Sequence, residues 1–323
     1  MDPYFHYHEP FSSFSYRLYE ERYINDGISR HFNYDAIITG TSMSQNFKPS
    51  EFDALFGTNS IKQPFPGAGY EEITQNLARA LTRNDSVDTV LWTLDYNGLL
   101  RAYDWKQYEE YPAYLYDENP LNDAPYLFNK SILYHGIMPN LALTLTGSPG
   151  TTMDEYSSWE RECGLQTILY SYSRDSLSPT PDSTYTPADD ANVRKTITDN
   201  FVTLANQYPD VTFYIFYSPY SICYWDALCL EEMFEKQLAA EQVATELLLE
   251  CPNVKLYNFF DQYEIICNPD NYSDPCHYSG EINSQILRWI SEDTGLVTKS
   301  NYKEKLRQEY EFYSNYDYES IYK

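Results

Sequence analysis

The feature that most constrains this chain is an alternation between short apolar segments and longer amphipathic ones. Five segments are predicted as β-strands: 34–39, 60–65, 88–94, 211–217 and 254–259. Four helical patterns lie between or after them: 71–83, 192–207, 230–250 and 279–292. Apolar strands joined through amphipathic helices are typical of a parallel sheet covered on both faces. The sequence therefore predicts an α/β fold, a three-layer sandwich with a parallel sheet of about five strands.

Three parts of the chain fall outside this alternation. Residues 98–190 are rich in Tyr, Pro, Asp and Ser and contain no long apolar segment, which predicts a large irregular insertion of short helices and loops. Residues 1–33 show no clean period and are interpreted as a leader that packs on the domain. Residues 298–323 are predicted to form a C-terminal helix and tail. The α/β domain itself is placed at 34–297.

The charge of the chain is strongly one-sided. Lys and Arg number 22 against 48 Asp and Glu, a formal charge of −26 at pH 7. Such a surface repels nucleic-acid phosphates and anionic lipid headgroups, so neither is expected as a partner. No run of about 18 apolar residues is present, and residues 1–5 lack the basic and apolar regions of a signal peptide. Two locations remain open: the cytoplasm, or a membrane surface whose anchoring segment lies outside this sequence.

Two short motifs far apart in the chain carry the residue types of a nucleophilic site. Gly40-Thr41-Ser42 directly follows the first predicted strand, and Asp274-Pro275-Cys276-His277 precedes the helix at 279–292. A serine hydroxyl becomes a nucleophile when an imidazole takes its proton and a carboxylate orients that imidazole. Taken singly, each motif is more often a capped turn or a local hydrogen bond. The carboxyl ends of parallel strands share one edge of a sheet, where the two motifs are expected to meet.

Four side chains near these motifs are candidates for substrate binding: Asn46, Asp95, Tyr220 and Trp225. Asn46 lies one helical turn after Ser42, although capping explains it more simply. Asp95 follows the third strand and could hold a substrate hydroxyl. The two aromatic residues follow the fourth strand, where they could form a wall of a groove or pack against the insertion.

The cysteines and histidines bear on disulfides and metals. The six cysteines are Cys163, Cys223, Cys229, Cys251, Cys267 and Cys276. Cys223 lies close to Cys229 in sequence, and Cys267 close to Cys276, but spacing alone leaves disulfides and reduced thiols equally open. No Cys or His spacing fits a zinc site, and His6-x-His8 has no third ligand nearby. We therefore expect no metal and no cofactor.

The order of the motifs, Gly-x-Ser after the first strand and Asp-x-x-His near the end, resembles the SGNH (GDSL-like) hydrolase superfamily. Residues 34–47 and 273–279 are similar to the SGNH-like proteins of Gram-positive cell envelopes, including relatives of DltD, and the likeness spans roughly 30–295. It implies that Ser42, rather than Ser44, is the nucleophile. His277 would then be its base, and Asp274 the carboxylate that orients the base.

The resemblance also implies an oxyanion hole made by the backbone N–H groups of Ser42 and Gly67 and the side chain of Asn97. Members of the superfamily usually carry Gly-x-Asn-Asp after the third strand. This chain has Leu94-Asp95-Tyr96-Asn97 instead, so the glycine is missing.

The functional expectations follow from the same resemblance. It implies a cell-surface serine esterase or O-acyltransferase acting on an acylated glycan or teichoic-acid-like polymer, beside a membrane-bound acyltransferase. An N-terminal helix outside this sequence would anchor the protein to a Gram-positive membrane, making 1–33 membrane-proximal. An extracellular location favours the disulfides Cys223–Cys229 and Cys267–Cys276. The alternative is a non-catalytic envelope protein that binds a polymer or a protein partner, which the missing glycine supports.

Overall fold

Six strands form one sheet in the order β2-β1-β3-β4-β5-β6 in the computed structural model, which describes residues 1–108, 112–117 and 119–322. The strands are β1 Ala36–Gly40, β2 Ser60–Pro64, β3 Thr89–Leu94, β4 Thr212–Tyr217, β5 Val254–Asn258 and β6 Leu296–Val297. Strands β1 to β5 are mutually parallel, which confirms the predicted α/β class, and β6 runs antiparallel to β5. Strand β6 was not predicted, because two residues are too few to show a period.

Helices fill the intervals between the strands. The α-helices are α1 Glu21–His31, α2 Pro49–Phe56, α3 Tyr70–Arg83, α4 Tyr96–Leu99, α5 Ala124–Leu127, α6 Met138–Thr146, α7 Leu165–Ile168, α8 Pro187–Ile197, α9 Thr203–Gln207, α10 Ile222–Leu230, α11 Phe234–Leu248, α12 Tyr263–Ile266, α13 Gly280–Ser291 and α14 Tyr302–Asn315. The helix predicted over 192–207 is interrupted by a π-helical turn at Thr198–Val202. Propensity and period do not reveal such a local change in hydrogen bonding.

Alternate residues of β4 face opposite sides of the sheet and show how both faces are covered. Phe216 contacts Phe47 and Phe259, and Phe259 in turn packs on Trp289 of α13. Its neighbour Tyr217 points the other way, where its hydroxyl pairs with Thr245 of α11. The sheet is therefore buried on both faces, as the continuous apolar strands require.

The strand order reverses direction between β1 and β3, because the chain goes from β1 outward to β2 and then back past β1 to β3. Loops leaving two such strands diverge to opposite sides and open a crevice at the carboxyl edge of the sheet. The loop after β1 begins with Thr41, and the loop after β3 begins with Asp95. The fold thus opens a crevice between the Ser42 turn and the 95–98 segment.

The segment 98–190 consists of short helices and loops, with no strand among its described residues. Its buried side chains, such as Leu115, Tyr156 and Ile168, join the same apolar cluster as the sheet. The N-terminal residues do likewise, with Phe5 and Ile24 buried in that cluster. The insertion and the N-terminal segment are thus packed parts of one core rather than appendages.

The C-terminal helix α14 is fixed by a buried polar cluster. Glu309 of α14 lies beside Glu241 of α11, and both side chains are almost fully inaccessible. The amide of Asn258 at the end of β5 donates to Glu241 at 2.7 Å and to Glu309 at 3.2 Å. No helix in the described part of the chain is long and apolar enough to cross a membrane.

Candidate active site

The Ser42 turn depends on a close contact between β1 and β3. Gly40 ends β1 with φ 147°, and a Cβ atom there would lie 2.0 Å from Oγ1 of Thr93. Only glycine fits this position, so the strand can end against β3 and turn sharply. Ser42 then begins a short 3-10 helix, Ser42–Ser44, with Thr41 as its N-cap.

The structure brings Ser42, His277 and Asp274 together across 235 residues of sequence. The Oγ of Ser42 lies 2.7 Å from Nε2 of His277. The other ring nitrogen, Nδ1, lies 2.7 Å from Oδ2 of Asp274. When Nδ1 carries the ring proton, its N–H donates a hydrogen bond to Asp274, and Nε2 is free to accept the serine proton.

Asp274 is held as an ionised acceptor by its own loop. Its Oδ1 accepts the backbone N–H groups of Cys276 and His277, both at 2.9 Å. Burial raises the pKa of Asp274, but the hydrogen bonds from the His277 ring and from these two amides outweigh it and lower the pKa overall. The Asp-x-x-His spacing thus lets one carboxylate fix both the backbone and the ring of His277.

The backbone N–H groups of Ser42 and Gly67 have no hydrogen-bond acceptor among the residues that the structure describes. Both residues line the same cavity as His277. Gly67 has φ +70°, and a Cβ atom there would lie 2.3 Å from Oε1 of Gln107, so this turn also requires glycine. Asn97 lines the cavity as well, and its amide donates to Sγ of Cys276 at 3.6 Å.

Asp95 does not present a free carboxylate to the cavity. Its side chain accepts hydrogen bonds from the hydroxyls of Thr41 and Ser218, the latter at 3.0 Å. Burial raises its pKa, and these hydrogen bonds counteract part of the rise. Asp95 therefore ties the turn that carries Ser42 to the ends of β3 and β4, which argues against the predicted contact with a substrate hydroxyl.

The other three predicted binding residues have different positions. Tyr220 lines the cavity although only 2 % of it is exposed. Trp225 lies in the core, stacked on Tyr313 at 4.2 Å between ring centroids, so its predicted role in a groove wall is wrong. Asn46 is buried outside the cavity lining and accepts the backbone N–H of Trp159 at 2.9 Å, so it positions the insertion instead.

The insertion supplies cavity residues that the sequence did not single out. Arg101, Trp105 and Gln107 line the cavity. Trp159 is not among the lining residues, but its ring meets that of His277 edge-on, with 5.7 Å between centroids. The only signal for these residues was an aromatic, irregular segment, which does not indicate which side chains reach the site.

All six cysteines are unpaired in the structure. Cys223 and Cys229 lie six residues apart on α10, a rise of about 9 Å, which is longer than a disulfide spans. The predicted Cys223–Cys229 bond is therefore incompatible with this helix, whereas Cys267–Cys276 stays a prediction. No group of three or more potential metal ligands occurs in the described part of the chain.

Comparison with known proteins assigns no family to the chain. No family model matches it, and no curated protein matches it either.

Proposed function

We propose that this protein is a serine esterase or O-acyltransferase that works through Ser42, His277 and Asp274. The observation that carries the proposal is the continuous chain of two 2.7 Å contacts from the hydroxyl to the ring and from the ring to the carboxylate. A serine in an ordinary capped turn needs no such chain. Its direction, with the carboxylate on the far nitrogen, is the one that activates a nucleophile.

In the proposed reaction, Ser42 Oγ attacks the carbonyl carbon of an ester while Nε2 of His277 takes the hydroxyl proton. The resulting oxyanion would be bound by the N–H groups of Ser42 and Gly67, with Asn97 beside them. Collapse breaks the ester bond, the leaving alkoxide receives the proton from His277, and the acyl group stays on Ser42. Water or a sugar hydroxyl then attacks the acyl carbon and gives its proton to His277; the bond to Ser42 breaks, His277 returns the proton to Ser42 Oγ, and the acyl group leaves as the free acid or as the new sugar ester.

The size of the cavity favours a short acyl group on a larger molecule. Its volume is about 200 Å³, below the roughly 300–1,000 Å³ of sites that enclose a whole ligand. We infer that the acyl group enters while the rest of the substrate stays outside. This agrees with an acylated glycan or teichoic-acid-like polymer at a Gram-positive cell surface, and with an acyl donor passed on by a membrane-bound acyltransferase.

An uncharged fluorophosphonate probe tests the proposal, because it phosphonylates a serine only when that serine is activated. We expect stoichiometric labelling of the wild type, and none of Ser42→Ala or His277→Ala. The matched control is Ser44→Ala. The Ser44 hydroxyl donates to the carbonyl of Thr41 at 2.8 Å and takes no part in the triad, so this variant should label normally.

One observation favours the second candidate, a polymer-binding protein without turnover. Leu94 stands where the superfamily usually has glycine, and the Asn97 amide donates to a thiol rather than standing free. A wild type that stays unlabelled while folded would reject the catalytic proposal in favour of this candidate. If the wild type is labelled, a second assay on unlabelled protein separates the esterase from the transferase. It measures acetate release with and without a soluble glycan acceptor.

A further inference from the structure

One side chain that lines the cavity is a cation, Arg101, for which the described residues supply no counter-ion. Arg101 lines the cavity together with Ser42 and His277, and its guanidinium carbon lies 4.0 Å from the centroid of the Trp105 ring. Stacking on an aromatic face holds a guanidinium in place while leaving its N–H donors free. Arg101 is thus positioned by a neighbour that does not neutralise it.

Arg101 differs from the neighbouring cations in having no ion pair within the described part of the chain. No carboxylate of the described residues lies within ion-pair distance of Arg101, although acidic residues outnumber basic ones by 48 to 22. Two nearby cations do form ion pairs. Nζ of Lys106 lies 3.4 Å from Oε2 of Glu71, and Nη1 of Arg161 lies 3.7 Å from Oδ2 of Asp274. Asp95 lines the cavity but is turned to its hydroxyl partners. Because no described residue neutralises the guanidinium, it is able to bind an anion.

We propose that Arg101 binds an anionic group of the acylated substrate, a phosphate or a carboxylate close to the ester. This inference rests on the proposed function and adds the charge of the substrate to it. A planar guanidinium suits both groups, because each offers two oxygens to its parallel N–H donors. In an acidic molecule, one such cation in the same cavity as Ser42 would orient an anionic substrate that the rest of the surface repels.

Protection of Ser42 from the uncharged fluorophosphonate measures this binding directly. We expect glycerol 3-phosphate or inorganic phosphate to slow labelling of the wild type. Arg101→Gln should need at least a tenfold higher concentration for the same protection. Lys106→Gln is the matched control, since it removes the same charge from the same loop outside the cavity, and it should behave like the wild type.

The outcomes separate this inference from the proposed function. Labelling without any competitor tests the activated serine alone, and the protection of each protein is measured against its own rate without competitor. If phosphate protects Arg101→Gln as well as it protects the wild type, or protects neither, the anion site is rejected while the serine chemistry stands.

Three small esters distinguish the possible anions. Acetate release from acetyl-glycerol 3-phosphate in excess of that from monoacetin identifies a phosphate, and the same excess with O-acetyl-lactate identifies a carboxylate. The excess should disappear in Arg101→Gln. Equal rates on all three esters in the wild type would overturn the inference.

A second, independent feature is an exposed apolar face on the insertion. The π-helical turn Ile132–Ile137 and α6 form a continuous helix of six plus nine residues. With the end of α5, this helix exposes large apolar side chains: Leu127, Phe128, Leu133, Tyr134, Met138 and Leu145. Phe128 and Leu145 are 85 % and 86 % exposed, and a groove of about 440 Å³ runs beside them to the N-terminal residues.

This apolar face is also the least acidic stretch of the chain. From 124 to 153 there is no Asp or Glu, and Lys130 is the only Lys or Arg. Self-association through it is disfavoured, because it would bring together two molecules of charge −26. The helix offers a strip of only about 22 by 10 Å, which is small beside the roughly 800 Å² per partner of a stable interface.

We propose that this apolar face lies on a lipid bilayer. A bilayer requires no complementary shape, and a helix with exposed Phe, Leu and Tyr side chains fits the boundary between headgroups and acyl chains. The acidic remainder would point away from the membrane. The net charge makes zwitterionic headgroups the better surface for the molecule as a whole.

Sedimentation with phosphatidylcholine vesicles tests the second proposal. We expect the wild type to bind, and Phe128→Ser/Leu145→Ser to bind at least tenfold more weakly. Tyr170→Ser, which removes a 92 % exposed ring outside the apolar face, should leave binding unchanged. Failure of the wild type to bind, or equal binding by the double variant, would overturn the proposal. So would a dimer in analytical ultracentrifugation that the double variant abolishes.

Discussion

At the scale of single residues, Asp274 fixes His277 through contacts that span only three residues of sequence. A carboxylate three residues before a histidine can accept the intervening amides and the ring N–H at once, and it does so here. Trp225 was predicted to line a groove because it follows the fourth strand, but it lies on helix α10 with its side chain in the core. The partner that decided its direction, Tyr313, lies 88 residues away.

The orientation of His277 gives the first prediction. Asp274→Asn can still accept the two backbone amides but no longer favours the proton on Nδ1. The imidazole should therefore bind Ser42 as the wrong tautomer. We expect the labelling rate of Ser42 to fall by roughly three to four powers of ten, with the melting temperature nearly unchanged.

The control for this prediction is Asp270→Asn, an exposed carboxylate in the same loop. It should label at the wild-type rate. A labelling rate in Asp274→Asn within a factor of ten of the wild type would show that the carboxylate does not orient the ring.

At the scale of elements, the long periodic segments were predicted and the short ones were not. Strand β4 and helix α3 carry periods that local sequence determines. Strand β6 has two residues and forms only because β5 offers a free edge. The helices of the insertion, such as α5 and α7 with four residues each, depend on packing against the sheet rather than on their own propensity.

The buried glutamate pair between α11 and α14 predicts that stability depends on pH. Burial raises the pKa of Glu309 to about 8 and also raises that of Glu241, from an ordinary value of 4.5. The folded state therefore binds protons more tightly than the unfolded chain. This contribution to stability is full below about pH 4.5 and is lost as the pH rises through about 8.

We expect the free energy of unfolding to fall by on the order of 3 kcal/mol between pH 5 and pH 9 from this pair. Glu309→Gln, which keeps a neutral side chain there at every pH, should show a clearly smaller fall. Glu304→Gln on the exposed side of α14 is the control and should keep the wild-type slope. Urea unfolding at a series of pH values measures this, and identical slopes for all three proteins would contradict it.

At the scale of the whole molecule, one residue joins three distant parts of the chain. Asn25 of α1 donates to the carbonyl of Pro64 at 2.8 Å and accepts the hydroxyl of Tyr156 at 2.7 Å. Its backbone carbonyl accepts the side chain of Gln63 at 2.6 Å. The N-terminal segment, the end of β2 and the insertion are therefore coupled, which argues for unfolding in one transition.

Asn25→Ala should lower the free energy of unfolding by about 1–3 kcal/mol, because it leaves buried polar partners unsatisfied. The transition should stay single, with coincident curves from circular dichroism and tryptophan fluorescence. Asn33→Ala, an exposed residue just after α1, should change stability by less than about 0.5 kcal/mol. Separate transitions in the wild type would show that 1–33 is an independent unit.

The residues that line the cavity come from two separate parts of the chain, and this has an evolutionary consequence. Ser42, Asp274 and His277 belong to loops of the sheet, whereas Arg101, Trp105 and Gln107 belong to the insertion. In the proposed enzyme, the residues that would react and the residues that would contact the rest of the substrate are thus encoded in different stretches of the gene. Such a protein could acquire new substrates by diversification of residues 98–190 while its serine stays the same.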